Sequence, residues 1–252
     1  MDLGGQVALV TAGGGGGIGR AIALALADHG AAVAVTDRSA ERAAGVAAEI
    51  RARGGASASW ALDVTARAQV DEVVAAVVTA FGRIDVLVNN AGISLPCPVV
   101  SMSDELWDRV VGVSLRGTFL MSRAVLPTMI AQRYGRIVNL ASYVAFVGSE
   151  DLAHYAAAKA GVVAFTKSLA REVGRHGITV NALAPGVIFN ERLEKDRSYF
   201  SGSVRADIER GTALGRHGAP EDVAGTAVFL VSPAGGFVTG ATIPVTGGLS
   251  MI

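Results

Sequence analysis

The sequence predicts an α/β fold, a doubly wound parallel sheet with helices on both faces. Three observations carry this. Apolar runs of strand length alternate with amphipathic runs of helix length along most of the chain. A glycine-rich turn stands directly between the first strand run and the first helix run. No low-complexity linker divides the 252 residues, so one domain spanning 1–252 is expected.

The elements follow in order. Gln6–Thr11 is a continuous apolar run, as expected for a strand buried on both faces. Ala12–Gly19 follows at once, and Arg20–Ala27 reads as a helix ending near Gly30. A glycine turn opening a helix makes a phosphate site, because its N–H groups can approach a pyrophosphate and the helix dipole favours its charge. Ala32–Asp37 is the second strand and ends in an acid. A carboxylate there would accept hydrogen bonds from the adenosine ribose and repel a 2′-phosphate. NAD is therefore favoured over NADP, although Arg38 follows and offers a cation. The plainer role for Asp37 is to cap the helix that starts near Ser39.

The pattern repeats: helix Ala40–Arg53, strand Ala56–Leu62 ending at Asp63 and Val64, helix Ala66–Phe81, strand Ile84–Val88. Ser103–Gln132 reads as one long helix disturbed near its end by Pro127. A β-branched run from Gly135 leads to Ser142, and a helix carrying Tyr155 runs to about Arg175. Ile178–Leu183 is a strand, Phe189–Gly215 a long loop, Pro220–Val231 a helix and Val238–Val245 the last strand. Loops of that length inside a compact domain are usually functional.

Composition excludes several classes. Hydrophobic residues make up 51% and charged residues 17%, so the chain can bury a large core and disorder is excluded. Net charge is zero with no long basic block, which argues against a nucleic-acid partner. Cys97 is the single cysteine, so no intrachain disulfide can form. Met1–Gln6 lacks the regions of a signal peptide, and runs such as Ala21–Ala27 are too short to span a bilayer. A soluble, cytoplasmic protein without a membrane partner is expected. His29, His176 and His217 are scattered without metal-ligand spacing, so no metal is expected.

Tyr155 and Lys159 stand four apart in an Ala-rich helix, on one face. With Ser142 at a strand end, they can form a proton-transfer site. A phenol has a reference pKa near 10, so a basic role at neutral pH needs a cation beside it, and Lys159 is placed to supply one. His154 precedes Tyr155, but neighbours on a helix diverge by about a hundred degrees, so no direct relay is expected.

Taken together, the chain resembles the short-chain dehydrogenase/reductase family over essentially its whole length. The pieces that carry the resemblance are the turn before Gly17-Ile18-Gly19, Asp63-Val64, Asn89-Asn-Ala91-Gly92, Ser142, Tyr155-Ala-Ala-Ala-Lys159, Asn181 and Pro185-Gly186-Val-Ile188. The resemblance implies a Rossmann-like sheet of about seven strands, a three-layer α/β/α domain, a nicotinamide cofactor and alcohol/ketone chemistry. It implies Tyr155 as acid/base, Lys159 on the nicotinamide ribose lowering the Tyr155 pKa, and Ser142 holding the substrate oxygen. Asp63 and Val64 would contact the adenine, Asn89 the adenosine ribose and the sheet, and Ile188 the nicotinamide carboxamide. Gly13, Gly17 and Gly19 would be the functional glycines of the turn. A homotetramer or dimer is implied, with Ser103–Gln132 and Ala153–Arg175 at an interface.

Four positions depart from the family pattern. Ser114 stands where Asn is usual, in the proton relay behind the lysine. The glycine turn is one residue longer, with Ala12 in place of a common Gly. Asn190 replaces a common Thr, and Thr246 a frequent Asp. Substrate contacts are expected from loops after strand C-termini, namely Ser94, Leu95, Tyr143, Val144, Phe146, Phe189 and the Tyr199-Phe200 region. The function favoured on sequence is NAD-dependent interconversion of a secondary alcohol and a ketone. The alternatives are an NADPH-dependent 3-oxoacyl-thioester reductase, in which Arg133 or Arg136 meets an acidic acyl carrier, and a non-catalytic dinucleotide-binding sensor or scaffold.

Overall fold

The computed structural model describes residues 1–189 and 202–251. Seven parallel strands form one sheet: β1 (Val7–Val10), β2 (Ala32–Asp37), β3 (Ser57–Ala61), β4 (Val86–Asn89), β5 (Gly135–Leu140), β6 (Ile178–Pro185) and β7 (Thr242–Val245). Their order is β3-β2-β1-β4-β5-β6-β7. The helices are α1 (Ile18–Asp28), α2 (Ala40–Ala52), α3 (Arg67–Phe81), α4 (Asp104–Val111), α5 (Gly117–Gln132), α6 (Val144–Val147), α7 (Ala153–Val173), α8 (Gly202–Gly211) and α9 (Pro220–Val231).

Alternation along the central strands divides the core in two. Ala8 and Val10 of β1 face one layer with Ile22, Leu26, Val46, Ile50 and Val228 of α1, α2 and α9. Val7 and Leu9 face the other, with Val70, Val74, Leu120, Val125, Leu169 and Val173 of α3, α5 and α7. Both faces of the sheet are covered, which is why its strands read as unbroken apolar runs. The chain winds outward from β1 to β3 and returns to β4 beside β1. Ligands of open α/β sheets bind at such a switch point, outside the strand C-termini. The glycine turn after β1 and the Asn89–Gly92 turn after β4 both lie there.

Two expectations need correction. The long helix over Ser103–Gln132 is present and continuous from α4 into α5, but its irregularity is not at Pro127. Residues Gly112–Arg116 form a π bulge where α4 runs into α5, whereas Pro127 sits inside a regular α5. Gly117, where α5 begins, lies so close to α3's approach that a Cβ would stand 2.7 Å from Val64. Such widened turns often mark functional sites, and this one carries Ser114. The expected loop Phe189–Gly215 contains helix α8, whose polar sequence lacks a continuous apolar stripe. Among the described residues, no helix is long and apolar enough to cross a membrane.

Candidate active site

Two cavities open at the strand C-termini. The outer one, about 840 Å³, is lined by Ala12, Asp37, Arg38, Arg42, Asp63, Val64, Ala91, Gly92, Ile93 and Arg116 among others. The inner one, about 240 Å³, is lined by Ile18, Asn90, Gly92, Ile93, Ser94, Ser142, Tyr155, Lys159, Pro185, Gly186 and Ile188 among others. They share Gly92 and Ile93, so an elongated ligand can run from one into the other.

The glycine turn is held by side chains from β1 and β4. The Thr11 hydroxyl donates to the Val88 carbonyl at 3.2 Å and accepts from the N–H of Asn90 and of Ala91 at 2.9 and 3.1 Å. The Asn90 amide donates to the carbonyls of Thr11 and Ala12, both at 3.1 Å. This packing leaves no room beside Gly19, where a Cβ would lie 2.4 Å from Asn90 Nδ2 and 2.5 Å from the Ala12 carbonyl. Ala12 itself is left-handed, with φ 50°. The alanine that stands in place of a common glycine thus occupies a conformation that suits glycine.

Asp37 closes β2 at the rim of the outer cavity. Its Oδ1 accepts from the Ser39 N–H at 2.9 Å and pairs with Arg42 Nη2 at 3.3 Å. Asp37 does not cap α2 itself: the N-cap is Ser39, whose hydroxyl accepts from the Arg42 N–H at 3.3 Å, and Asp37 braces Ser39 from the preceding strand. Asp63 accepts from the Thr65 N–H and hydroxyl at 2.9 and 2.7 Å, and these bonds hold its carboxyl below its usual range.

In the inner cavity, β5 delivers Ser142 and the first turns of α7 deliver Tyr155 and Lys159. The Ser142 hydroxyl accepts from the Val144 N–H at 3.3 Å and lies near enough to the Tyr155 phenol to favour its ionised form. Lys159 is 3% exposed, and its ammonium donates to the Leu140 carbonyl. It lies 5.7 Å from the Tyr155 ring centroid. Burial lowers its pKa to about 8. Ser114 is fully buried, and its hydroxyl accepts from the Ile93 N–H at 3.3 Å. A Cβ on Gly92 would stand 3.2 Å from Lys159 Nζ and 3.6 Å from Ser114 Oγ, so the three converge at the junction of the cavities.

Burial raises the Tyr155 pKa above its usual value, the Ser142 hydroxyl opposes this, and Tyr143 adds to the rise. One of the three N–H groups of the Lys159 ammonium donates to Leu140, which leaves two for other partners. Tyr155 is thus a neutral O–H donor at pH 7 beside a second hydroxyl, an arrangement suited to receiving a carbonyl oxygen.

Other expected residues separate. Asn89 lies inside the sheet, donating to Ser122 at 3.1 Å and Asn139 at 2.9 Å, and is not on either cavity wall. Gly13 is buried beside Val10 and Val35, and its N–H donates to the Thr36 carbonyl at 2.9 Å. Gly17 is the N-cap of α1. Ser94 lines the inner cavity, while Leu95 and Tyr143 are half-buried and Phe146 is exposed nearby. Val144 and Phe189 are buried and line neither cavity, and Phe189 stacks on His217 at 4.3 Å. Asn190 and the Tyr199-Phe200 region lie outside the described residues. Arg136 is spent on the carbonyls of Gly135 and Gly177 at the start of β5, away from Ser142, whereas Arg133 is exposed at the end of α5. Thr246 donates to the Ser250 carbonyl at 3.0 Å. His154 is fully buried, and neither ring nitrogen has a hydrogen-bond partner among the described residues. Sequence reasoning missed Asn90, Ile93 and Arg42. The second Asn of the Asn89–Gly92 turn was a usable signal, since a short amide after a strand end often braces a neighbouring turn.

Comparison with known proteins shows the family of the chain. A family model described as enoyl-(acyl carrier protein) reductase matches residues 13–250. The 3-oxoacyl-[acyl-carrier-protein] reductase FabG of Thermotoga maritima is 43% identical over 249 residues, 99% of each chain. The short-chain reductase protein NovJ of Streptomyces niveus is 43% identical, over 96% of this chain and 93% of its own. The (2S)-[(R)-hydroxy(phenyl)methyl]succinyl-CoA dehydrogenase subunit BbsD of Thauera aromatica is 40% identical, over 100% and 99%. A crystal structure from Sinorhizobium meliloti 1021, assigned as a short-chain alcohol dehydrogenase, superposes with a TM-score of 0.94 at 37% identity, covering 98% of this chain and 97% of its own. With its seven-stranded sheet, its Ser142/Tyr155/Lys159 cavity and these relatives, the chain belongs to the short-chain dehydrogenase/reductase family and is an oxidoreductase of that type.

Proposed function

We propose that this protein interconverts a 3-oxoacyl thioester and the corresponding 3-hydroxyacyl thioester, with a nicotinamide dinucleotide as hydride carrier. The reading replaces the broader alcohol/ketone expectation with one of its members, since a 3-hydroxyacyl group is a secondary alcohol. The observation that carries it is the pair of hydroxyls in the inner cavity, with the Tyr155 phenol held in its neutral form. Two O–H donors converge where a ketone oxygen would sit. As charge develops on that oxygen, Ser142 stabilises it by hydrogen bonding and Tyr155 transfers its proton. The ammonium of Lys159 then offsets the phenolate left behind. In the reverse direction the phenolate takes the hydroxyl proton. The thioester class rests on relatives named for 3-oxoacyl-carrier and hydroxyacyl-CoA substrates.

The residues fit a dinucleotide. The adenosine half matches the outer cavity, with Asp37 at the ribose and Asp63 and Val64 at the base. The pyrophosphate matches the turn at Gly17, Ile18 and Gly19. The nicotinamide half matches the inner cavity, between Ile18, Gly92, Lys159, Pro185, Gly186 and Ile188. When bound, the reduced nicotinamide supplies the hydride. Asp37 suits NAD(H). Self-association through α4, α5 and α7 accords with the exposed Trp107 and Phe119, the latter meeting Phe165 edge to face.

The deciding experiment follows nicotinamide absorbance with acetoacetyl-CoA, an acyl-carrier-bound 3-oxoacyl chain and simple ketones of matched size. The thioesters should be turned over with the higher kcat/KM. Faster turnover of the simple ketones would return the reading to a general ketone reductase.

A further inference from the structure

We infer that His217 is a positioning residue: through its contact with Glu209 it fastens α8 to the wall of the inner cavity, and the fastening tightens when the imidazole is protonated. The inference rests on the nicotinamide-cofactor reading above. Ile188 lines the inner cavity, and the next residue, Phe189, is 3% exposed. The backbone beside His217 holds both. Gly218 pairs with Ile188 as a parallel bridge. The Phe189 N–H donates to the Gly218 carbonyl at 2.8 Å, and the Gly218 N–H donates to the Val187 carbonyl at 3.0 Å. A Cβ on Gly218 would stand 2.4 Å from Ile188 Cδ1, so a shift of this segment moves the cavity wall.

Helix α8 meets this segment through side chains. The Arg205 guanidinium lies over the Phe189 ring at 4.5 Å, and that ring packs on the His217 ring at 4.3 Å. His217 Nδ1 is sealed from water and stands 3.3 Å from Glu209 Oε1. Just past the helix, the Leu214 N–H donates to the Gly247 carbonyl at 3.0 Å, so α8 has a fixed end near the Glu209 contact. An imidazole changes charge between pH 5 and 8. Protonated, His217 forms an ion pair with Glu209; neutral, it offers the carboxylate no charge. Among the described residues packed around the ring, Arg205 of α8 and the adjoining Arg216 oppose the proton. Arg216 is offset by Asp222 of α9, through contacts of 2.6 and 2.7 Å. Arg205 is applied to the Phe189 ring, whereas Glu209 touches Nδ1 itself. The Val187–Phe189 segment brings no charge. The proton on His217 therefore acts mainly on Glu209, and through it on how closely α8 lies against Phe189 and Ile188.

NADH binding, followed by nicotinamide fluorescence from about pH 6 to about pH 8.5, tests this in the unmodified protein, His217→Phe, Glu209→Gln and Glu209→Asp. Lys159, with its pKa of about 8, titrates in the same range in all four proteins, so the comparison between their curves carries the result. At about pH 6 the unmodified protein should bind NADH roughly two- to fivefold more tightly than His217→Phe or Glu209→Gln, and the three should converge by about pH 8.5. Convergence also shows that the variants fold. Glu209→Asp keeps the charge and should recover part of the difference. Curves that run parallel, as a purely structural side chain would give, or that coincide at every pH, would overturn the inference. Glu209→Gln decides alone if His217→Phe does not fold. Either negative result leaves the nicotinamide reading standing. Failure of the unmodified protein to bind NADH at any pH removes both.

Discussion

The two cavities that meet at Gly92 solve recognition in opposite ways. The outer one is rimmed by arginines that water can reach: Arg38 and Arg42 are exposed, and Arg42 makes one long contact to Asp37, which is itself buried. The inner one holds its polar groups out of water, with Ser142 and Lys159 at 7% and 3% exposure. Exposed charges are screened and exchangeable, so the outer cavity can be retuned at low cost. Buried groups carry shifted pKa values and depend on each neighbour, so the inner cavity tolerates little. The difference teaches that exposed cations and buried hydroxyl and amine groups sit on separate parts of the fold, and should respond to mutation separately.

Substitutions in the inner cavity should show the larger effects. Tyr155→Phe removes the transferable proton and little volume, so kcat should fall by roughly 10²–10⁴ while NADH affinity holds. A matching loss of cofactor binding would mean that the two cavities are not separable. Lys159 comes next. Its folded pKa, about 8, lies below its usual 10.5, so the unfolded chain binds more protons between those values. Stability should therefore rise with pH across that window. Chemical denaturation should show Lys159→Met losing this rise, a change of a few kcal/mol at most. Parallel pH curves for the two proteins would show that the ammonium is better solvated than its burial implies.

At the turn the effects shrink. Gly19→Ala forces a methyl against Asn90 and the Ala12 carbonyl, at 2.4 and 2.5 Å. It should cost about 1–3 kcal/mol in unfolding free energy and weaken NADH and NADPH equally. Unequal weakening would place the turn in control of cofactor preference. Ala12→Gly runs the other way. Relief of the left-handed alanine exceeds the added chain entropy by a few tenths to about 1 kcal/mol, which should raise the denaturant midpoint slightly. A lowered midpoint would show that the longer turn prefers another path.

Much of this molecule was legible because the signals are local. The first strand and its glycine turn announce themselves over a dozen residues, and β2 ends at Asp37 as expected. Tyr155 and Lys159 share a face because helices repeat. Ser114 was visible as a departure from the family pattern, but the π bulge around it was not. A π turn is sustained by tertiary packing, here of Gly117 on Val64 and of Ser114 on the Ile93 N–H. Asn89 was expected beside the ribose and the sheet; its place in the sheet holds, but its partners Ser122 and Asn139 lie 33 and 50 residues on, beyond any local pattern.

What the sequence determined by itself, then, is the winding of the sheet and the kinds of side chain brought to its C-terminal edge. Strand and helix periodicity specify both from neighbours in the chain. Only the tertiary structure decided how those side chains behave. Whether Tyr155 is poised as acid or base depends on burial and on the Ser142 hydroxyl near it. Whether Asp37 stands alone depends on α2 setting Arg42 beside it. Protonation and charge pairing are set by the water excluded and the partners within a few ångströms, and folding draws these from distant parts of the chain.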